Sequence, residues 1–133
     1  MKQLVLIIGS LYGALSVILG AFGAHALKKV LPLPQLESFE VGVKYQMHHA
    51  ILLLIIGFYF SFENKWQVIM GWSFIIGTFL FSVSIYLLST ASLYGGSLKF
   101  WGPVTPFGGL LMIIGWILLL ANVVKQFRIE RFE

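Results

Sequence analysis

His25, His48 and His49, with Tyr45 one helical turn before the last, are the residues of this chain best suited to hold a ligand. A neutral imidazole can ligate haem iron, zinc or copper, and a neighbouring hydroxyl or carbonyl can orient its ring. His25 closes one apolar run and His48-His49 stand early in the next. A short connection returns the chain to the same membrane face, so the spacing predicts that His25 and His49 share a depth of about 3 to 8 Å inside the interface and approach each other. Neither has a carboxylate or thiol beside it, and two imidazoles alone are a thin metal signal. The simpler reading is that each ring satisfies a backbone carbonyl or a headgroup. No cofactor is expected on these grounds, and no metal is assigned. Catalysis is not expected either, because the sequence has no Ser/His/acid set, no paired intramembrane carboxylates, no phosphate loop and no H-E-x-x-H.

The elements that must position these residues are four long apolar runs, 4–27, 43–62, 66–88 and 104–124. Each is long enough to cross a hydrocarbon core, which needs about 20 residues of helix. Apart from Lys44 at the head of the second, none carries a charge, whereas proton- and cation-coupled transporters usually mark their pathway with an ionisable residue. The expected fold is therefore all-α, a bundle of four transmembrane helices forming one domain over residues 1–133. With 59% hydrophobic residues and 11% charged and a mean hydropathy of +0.92, the outer surface should face lipid. The net charge of +4 gathers in loops and ends, too scattered for a nucleic-acid face, so membrane lipids are the expected surroundings. Lys2, the first run and Ala24-His25-Ala26 imitate a signal peptide, but the run exceeds the 7 to 15 residues of a signal core. It reads as a retained span.

Small residues shape the expected packing. Gly9, Gly13, Ser16, Gly20 and Ala24 form one stripe of the first span, and Ser10, Ala14, Ala21 and His25 form another. Such stripes let backbones approach closely in lipid, and two of them predict a helix between two neighbours. In the third span Ser73, Gly77 and Ser84 share a face, as do Thr78, Ser82 and Ser89; in the fourth, Gly108, Gly115 and Asn122 recur every seven residues. More small-residue faces than internal neighbours require predicts a homo-oligomer. Pro32 and Pro34 are expected to end the first helix. Beyond them Leu36, Phe39, Val43, Met47, Ala50 and Leu54 keep helical spacing with Glu37, Glu40 and Lys44 off the stripe, which predicts an amphipathic interfacial segment running into span two, with Gly42 as a point of weakness. Glu63-Asn64-Lys65 allows only a tight hairpin between spans two and three. Tyr94, Gly95-Gly96 and Trp101 suit a headgroup-level loop, and Thr105 with Pro106 reads as a helix cap. Lys2, Lys65, Lys125, Arg128 and Arg131 oppose Lys28, Lys29, Lys44 and Lys99 across the membrane, which leans towards both termini in the cytoplasm.

Five segments fall in an order that resembles a known family: Gly23-Ala24-His25-Ala26-Leu27, Tyr45-Gln46-Met47-His48-His49-Ala50, Phe81-Ser82-Val83-Ser84-Ile85-Tyr86, Thr105-Pro106-Phe107-Gly108-Gly109 and Gly115-Trp116. Over essentially its whole length the chain is similar to the YgdD-like family of small four-span membrane proteins, bacterial with mitochondrial relatives. The resemblance implies the fold and a multi-pass place in the cell membrane. It implies no activity, since the family has none agreed. Its motif positions match His25, Tyr45, Gln46, His49, Ser82, Ser84, Tyr86, Pro106, Gly108, Gly109, Gly115 and Trp116. His48 stands at a variable position and Val83 where a glycine is usual. The expected role is a non-enzymatic binding or structural membrane component that self-associates. The alternatives are a small-solute or anion channel and, third, a protein with a His-ligated haem or metal.

Overall fold

A computed structural model describes residues 1–95 and 98–130, with side chains through 128. Among these residues the chain is all-α, with four helices long and apolar enough to cross a membrane. They are α1 (Lys2–His25), α2 (Leu33–Tyr59), α3 (Lys65–Thr90) and α4 (Val104–Glu130), joined by short 3₁₀ turns at Leu27–Lys29, Ala91–Tyr94 and Lys99–Trp101. Gly96 of the loop reading and Arg131 of the charge reading lie outside the described residues.

Local chemistry sets the boundaries. α1 ends at His25, before the prolines are reached, and passes into the Leu27–Lys29 turn. Pro32 instead caps the start of α2 and Pro34 sits in its first turn, where a missing N–H costs nothing because it would be unpaired anyway. The prolines thus open the second helix rather than close the first. The expected amphipathic segment is the head of α2 itself, and Gly42 does not interrupt it. A Cβ at Gly42 would lie 2.7 Å from Cε1 of Tyr86, so its bareness admits the tyrosine ring. Between α2 and α3, Phe62 adopts a left-handed φ of 61°. Its N–H donates to Gln67 Oε1 at 2.9 Å, while Asn64 Oδ1 accepts from the Trp66 N–H at 2.9 Å. Two side-chain bonds therefore hold a turn that a phenylalanine adopts only at a cost of about 1 kcal/mol or more. α4 begins at Val104, before Thr105, whose hydroxyl bonds Ser84 Oγ at 2.7 Å. Thr105 ties two helices together and is not a cap.

Each helix packs chiefly on its neighbours in sequence: α1 on α2, α2 on α3, α3 on α4. The main core brings Val5 and Tyr12 of α1 against Leu53 and Ile56 of α2 and Met70 and Phe74 of α3. α1 and α4 form the outer walls. Glycine permits close approach at two crossings. A Cβ on Gly9 would meet Leu53 Cβ at 3.0 Å and the Ala50 carbonyl at 3.2 Å. Where α3 crosses α4, a Cβ on Gly108 would fall 2.5 Å from the Phe81 nitrogen, and one on Gly77 2.9 Å from the Met112 nitrogen. Backbone meets backbone there, the arrangement small residues make possible in lipid. Ile7, Val17, Ile55, Phe58, Ile113 and Leu120 are exposed on the outside, as a lipid-facing belt requires.

Candidate functional site

Pairing along α1 and α2 fixes the depth of every candidate. Gly13 faces Ala50, Gly20 faces Val43 and Gly23 faces Phe39. His49 is therefore level with the middle of α1, and His25 lies about 18 Å further along that helix at 1.5 Å per residue. The structure does not bring the two histidines together. The reason is that α2 starts at Leu33, ahead of the apolar run, so His49 sits deep in the helix instead of near its mouth. His25 and His48 are exposed, whereas His49 is buried. The apolar stripe of α2 turns inward: Leu36, Phe39 and Ala50 are buried, with Phe39 and Ala50 facing α1.

Two buried polar arrangements flank α2. The first is a seam through α1, α2 and α3. Gln46 Nε2 donates to the Tyr12 carbonyl at 3.0 Å, and the Tyr86 hydroxyl donates to Gln46 Oε1 at 2.9 Å. The Tyr12 hydroxyl crosses from α1 to the Ile75 carbonyl on α3 at 2.8 Å, and Ser82 Oγ reaches the Gly42 carbonyl at 2.9 Å. Three spans are thereby pinned in register by bonds whose loss would leave polar atoms bare in the core. Ser84 joins α3 to α4 through Thr105 and also donates to its own Phe81 carbonyl at 2.9 Å. Asn122 Nδ2 returns to the Leu118 carbonyl at 2.8 Å, so its amide bonds its own helix.

The second arrangement surrounds His49. Its Nδ1 lies 2.8 Å from the Tyr45 carbonyl. A carbonyl only accepts, so Nδ1 carries the proton, and in the neutral ring Nε2 is left with a bare lone pair. That Nε2 is buried and has no hydrogen-bond partner. Aromatic rings enclose it. The Tyr45 ring stacks at 6.2 Å between centroids, Phe74 lies at 5.8 Å and Trp116 stands edge-on at 6.2 Å. Tyr45 in turn leans on Phe81 at 4.7 Å. Gly115 makes room for this, because a Cβ there would lie 2.8 Å from the Phe74 ring. Phe74, fully buried, forms the floor on α3; Tyr45 and Trp116, 43% and 51% exposed, form rims on α2 and α4. Ser16 Oγ and Thr78 Oγ1 are the other buried side-chain atoms without a partner among the described residues.

Of the residues singled out from sequence, Tyr45 and His49 share this site, and His25 lies far from it. Gly9, Gly77, Gly108 and Gly115 lie at helix contacts within the chain, and Ser82 and Ser84 bond across helices. Gly13 and Gly20 have looser contacts, at 3.8 Å to Ala50 and 3.5 Å to Val43. Among the described residues no three His, Asp or Glu side chains group as a metal site. Sequence reasoning gave Gln46, Tyr12 and Tyr86 no role of their own. A signal existed: an amide in mid-span, and tyrosines away from the interfacial belt, need internal partners in lipid.

Residues 19–109 match a family described as a protein of unknown function, DUF423. A UPF0382 membrane protein of Staphylococcus haemolyticus is 36% identical over 126 residues, covering 92% of this chain and 97% of that protein. The UPF0382 membrane protein YwdK of Bacillus subtilis is 36% identical over 125 residues, covering 90% and 95%. The UPF0382 inner membrane protein YgdD of Escherichia coli is 32% identical over 127 residues, covering 93% and 92%. No solved structure matches the chain significantly.

Proposed function

Because this chain belongs to the DUF423 family of unknown function, whose relatives are named membrane proteins, we propose that it is a non-catalytic binding component of the cell membrane. Its working surface is the cleft between α2 and α4 over Phe74, and it self-associates with both termini in the cytoplasm. The observation that carries this reading is the bare Nε2 of His49. A buried polar atom without a partner is costly, and the half-exposed rings of Tyr45 and Trp116 that cover it are the side from which a partner could come. A photoreactive apolar probe in membranes tests it: crosslinks should concentrate at Tyr45 and Trp116. Labelling spread evenly over Ile7, Phe58 and Leu120 would remove the cleft reading. In liposomes the purified protein should pass no ion or solute above empty vesicles.

Self-association finds its support on α1. Ser10, Ala14 and Ala21 are exposed on its outer wall, away from α4, which packs on α3. Gly115 is used inside the protomer, so the informative substitution is Ala14→Leu. It should lower the mass of detergent-solubilised protein, and an unchanged mass would make that wall a lipid surface. For orientation, single cysteines at Glu63 and Tyr94 suit an impermeant reagent on intact cells; Tyr94→Cys should label and Glu63→Cys should not.

A further inference from the structure

Resting on the cleft reading, we propose that the His49 cleft binds a flat aromatic ring that bears a hydroxyl and an apolar tail, a quinol or another prenylated phenol, whose hydroxyl donates to Nε2. Three observations select this class. The first is the sense of the hydrogen bond. Nδ1 is committed to the Tyr45 carbonyl at 2.8 Å, so a neutral His49 offers Nε2 only as an acceptor, and the ligand must bring the proton. A quinone or an ester has carbonyl oxygens alone and presents one lone pair to another.

The second is depth. Phe74 lies about 14 Å along α3 from Lys65, and Trp116 lies about 14 Å along α4 from Lys125, at 1.5 Å per residue. His49, in ring contact with both, is thus near the middle of a core about 30 Å thick. Phospholipid headgroup hydroxyls do not reach that level, whereas a hydroxyl on a lipid-soluble ring does. The third is the lining. Tyr45, Phe74, Phe81 and Trp116 present stacked and edge-on rings at centroid spacings between 4.7 and 6.2 Å, the geometry that aromatic partners favour. Tyr45 and Trp116 are the half-exposed rims, while Phe74 is fixed beneath them. Turning one rim outward lets a single hydroxyl reach Nε2. A porphyrin would need a broad open face over the imidazole, and Nε2 has none.

The test uses the full chain in nanodiscs with ¹⁵N-labelled histidine, and as probes a short-tailed benzoquinol and its oxidised quinone. The quinol should bind at least about ten-fold tighter than the quinone, a difference of about 1.4 kcal/mol. It should also move the unprotonated Nε2 resonance of His49 in the direction of an accepted hydrogen bond, leaving His25 and His48 unmoved. His49→Phe should bring the two affinities together, and His48→Ala should leave the preference intact. The wild-type comparison stands even if His49→Phe fails to fold. Equal affinities with Nε2 unmoved would overturn the hydroxyl-donor class while a retained crosslink at Trp116 kept the cleft. Failure of both rings to bind, with no crosslink at Tyr45 or Trp116, would overturn the cleft as well. Haem added to the protein giving a Soret band that His49→Phe abolishes would replace the phenol by a metalloporphyrin.

Discussion

Gln46 has both ends of its amide engaged, by the Tyr12 carbonyl at 3.0 Å and the Tyr86 hydroxyl at 2.9 Å. His49, one turn further along α2, has one nitrogen bonded within its own helix and the other bare. The neighbours explain the contrast. Gln46 faces α1 and α3, which meet across it through the Tyr12–Ile75 bond. His49 faces α3 and α4, where the adjoining side chains are the rings of Phe74 and Trp116, and neither bonds its Nε2. Two polar side chains so close on one helix therefore do different work. A fully paired amide specifies packing, and its removal harms the fold. A half-paired imidazole adds little to the fold, and its free atom is available to something else.

The largest effect should come from separating the two sides at the α3–α4 crossing. Gly108→Leu forces bulk onto the Phe81 backbone and should cost about 3 kcal/mol or more, seen as a collapse of melting temperature in detergent. A stable variant would show that α4 is held by something other than the glycine crossing. Next, Gln46→Leu leaves the Tyr86 hydroxyl unpaired in the core and should cost about 1 to 3 kcal/mol in reversible unfolding. If it were neutral, the seam would be dispensable and the contrast with His49 lost. Tyr86→Phe removes one interhelical bond while sparing the Gln46 donor, and should cost about 0.6 kcal/mol, the usual worth of such a bond in a membrane. The smallest effect belongs to His49→Leu without ligand. It gives up one bond to a carbonyl and also removes an unpaired buried nitrogen, so stability should stay the same or rise by up to about 1 kcal/mol. A loss above that size would mean Nε2 already has a partner in the native protein.

The helices, the tight hairpin and the burial of small and hydroxyl residues on α3 were legible because apolar run length and small-residue spacing act locally. The misread features depend on where a helix starts. Extending α2 back to Leu33 moved His49 from an interface to mid-membrane and took it away from His25, and nothing in the apolar run marks that start. Glu37 and Glu40 masked it by giving the head of α2 a polar composition. Pro34 was a legible cue, since a proline in a first turn opens a helix. The aromatic enclosure was harder to foresee. It needs Trp116 on α4 to reach across α3 to α2, a pairing set by the Gly77–Gly108 crossing and invisible in the periodicity of any single span.

That crossing also bears on the order in which the protein is made. The bonds of Gln46, Tyr12, Tyr86 and Ser82 lie wholly within α1, α2 and α3. Every one of them can form before α4 has left the ribosome. Among the described residues, Ser84 alone of the interhelical hydroxyls waits for a partner on the last span, Thr105. A three-helix intermediate is therefore able to close its polar seam while Gly77 on α3 and the imidazole of His49 await α4. Synthesis of the final span covers both, and the last helix to arrive is the one that sets Trp116 against His49.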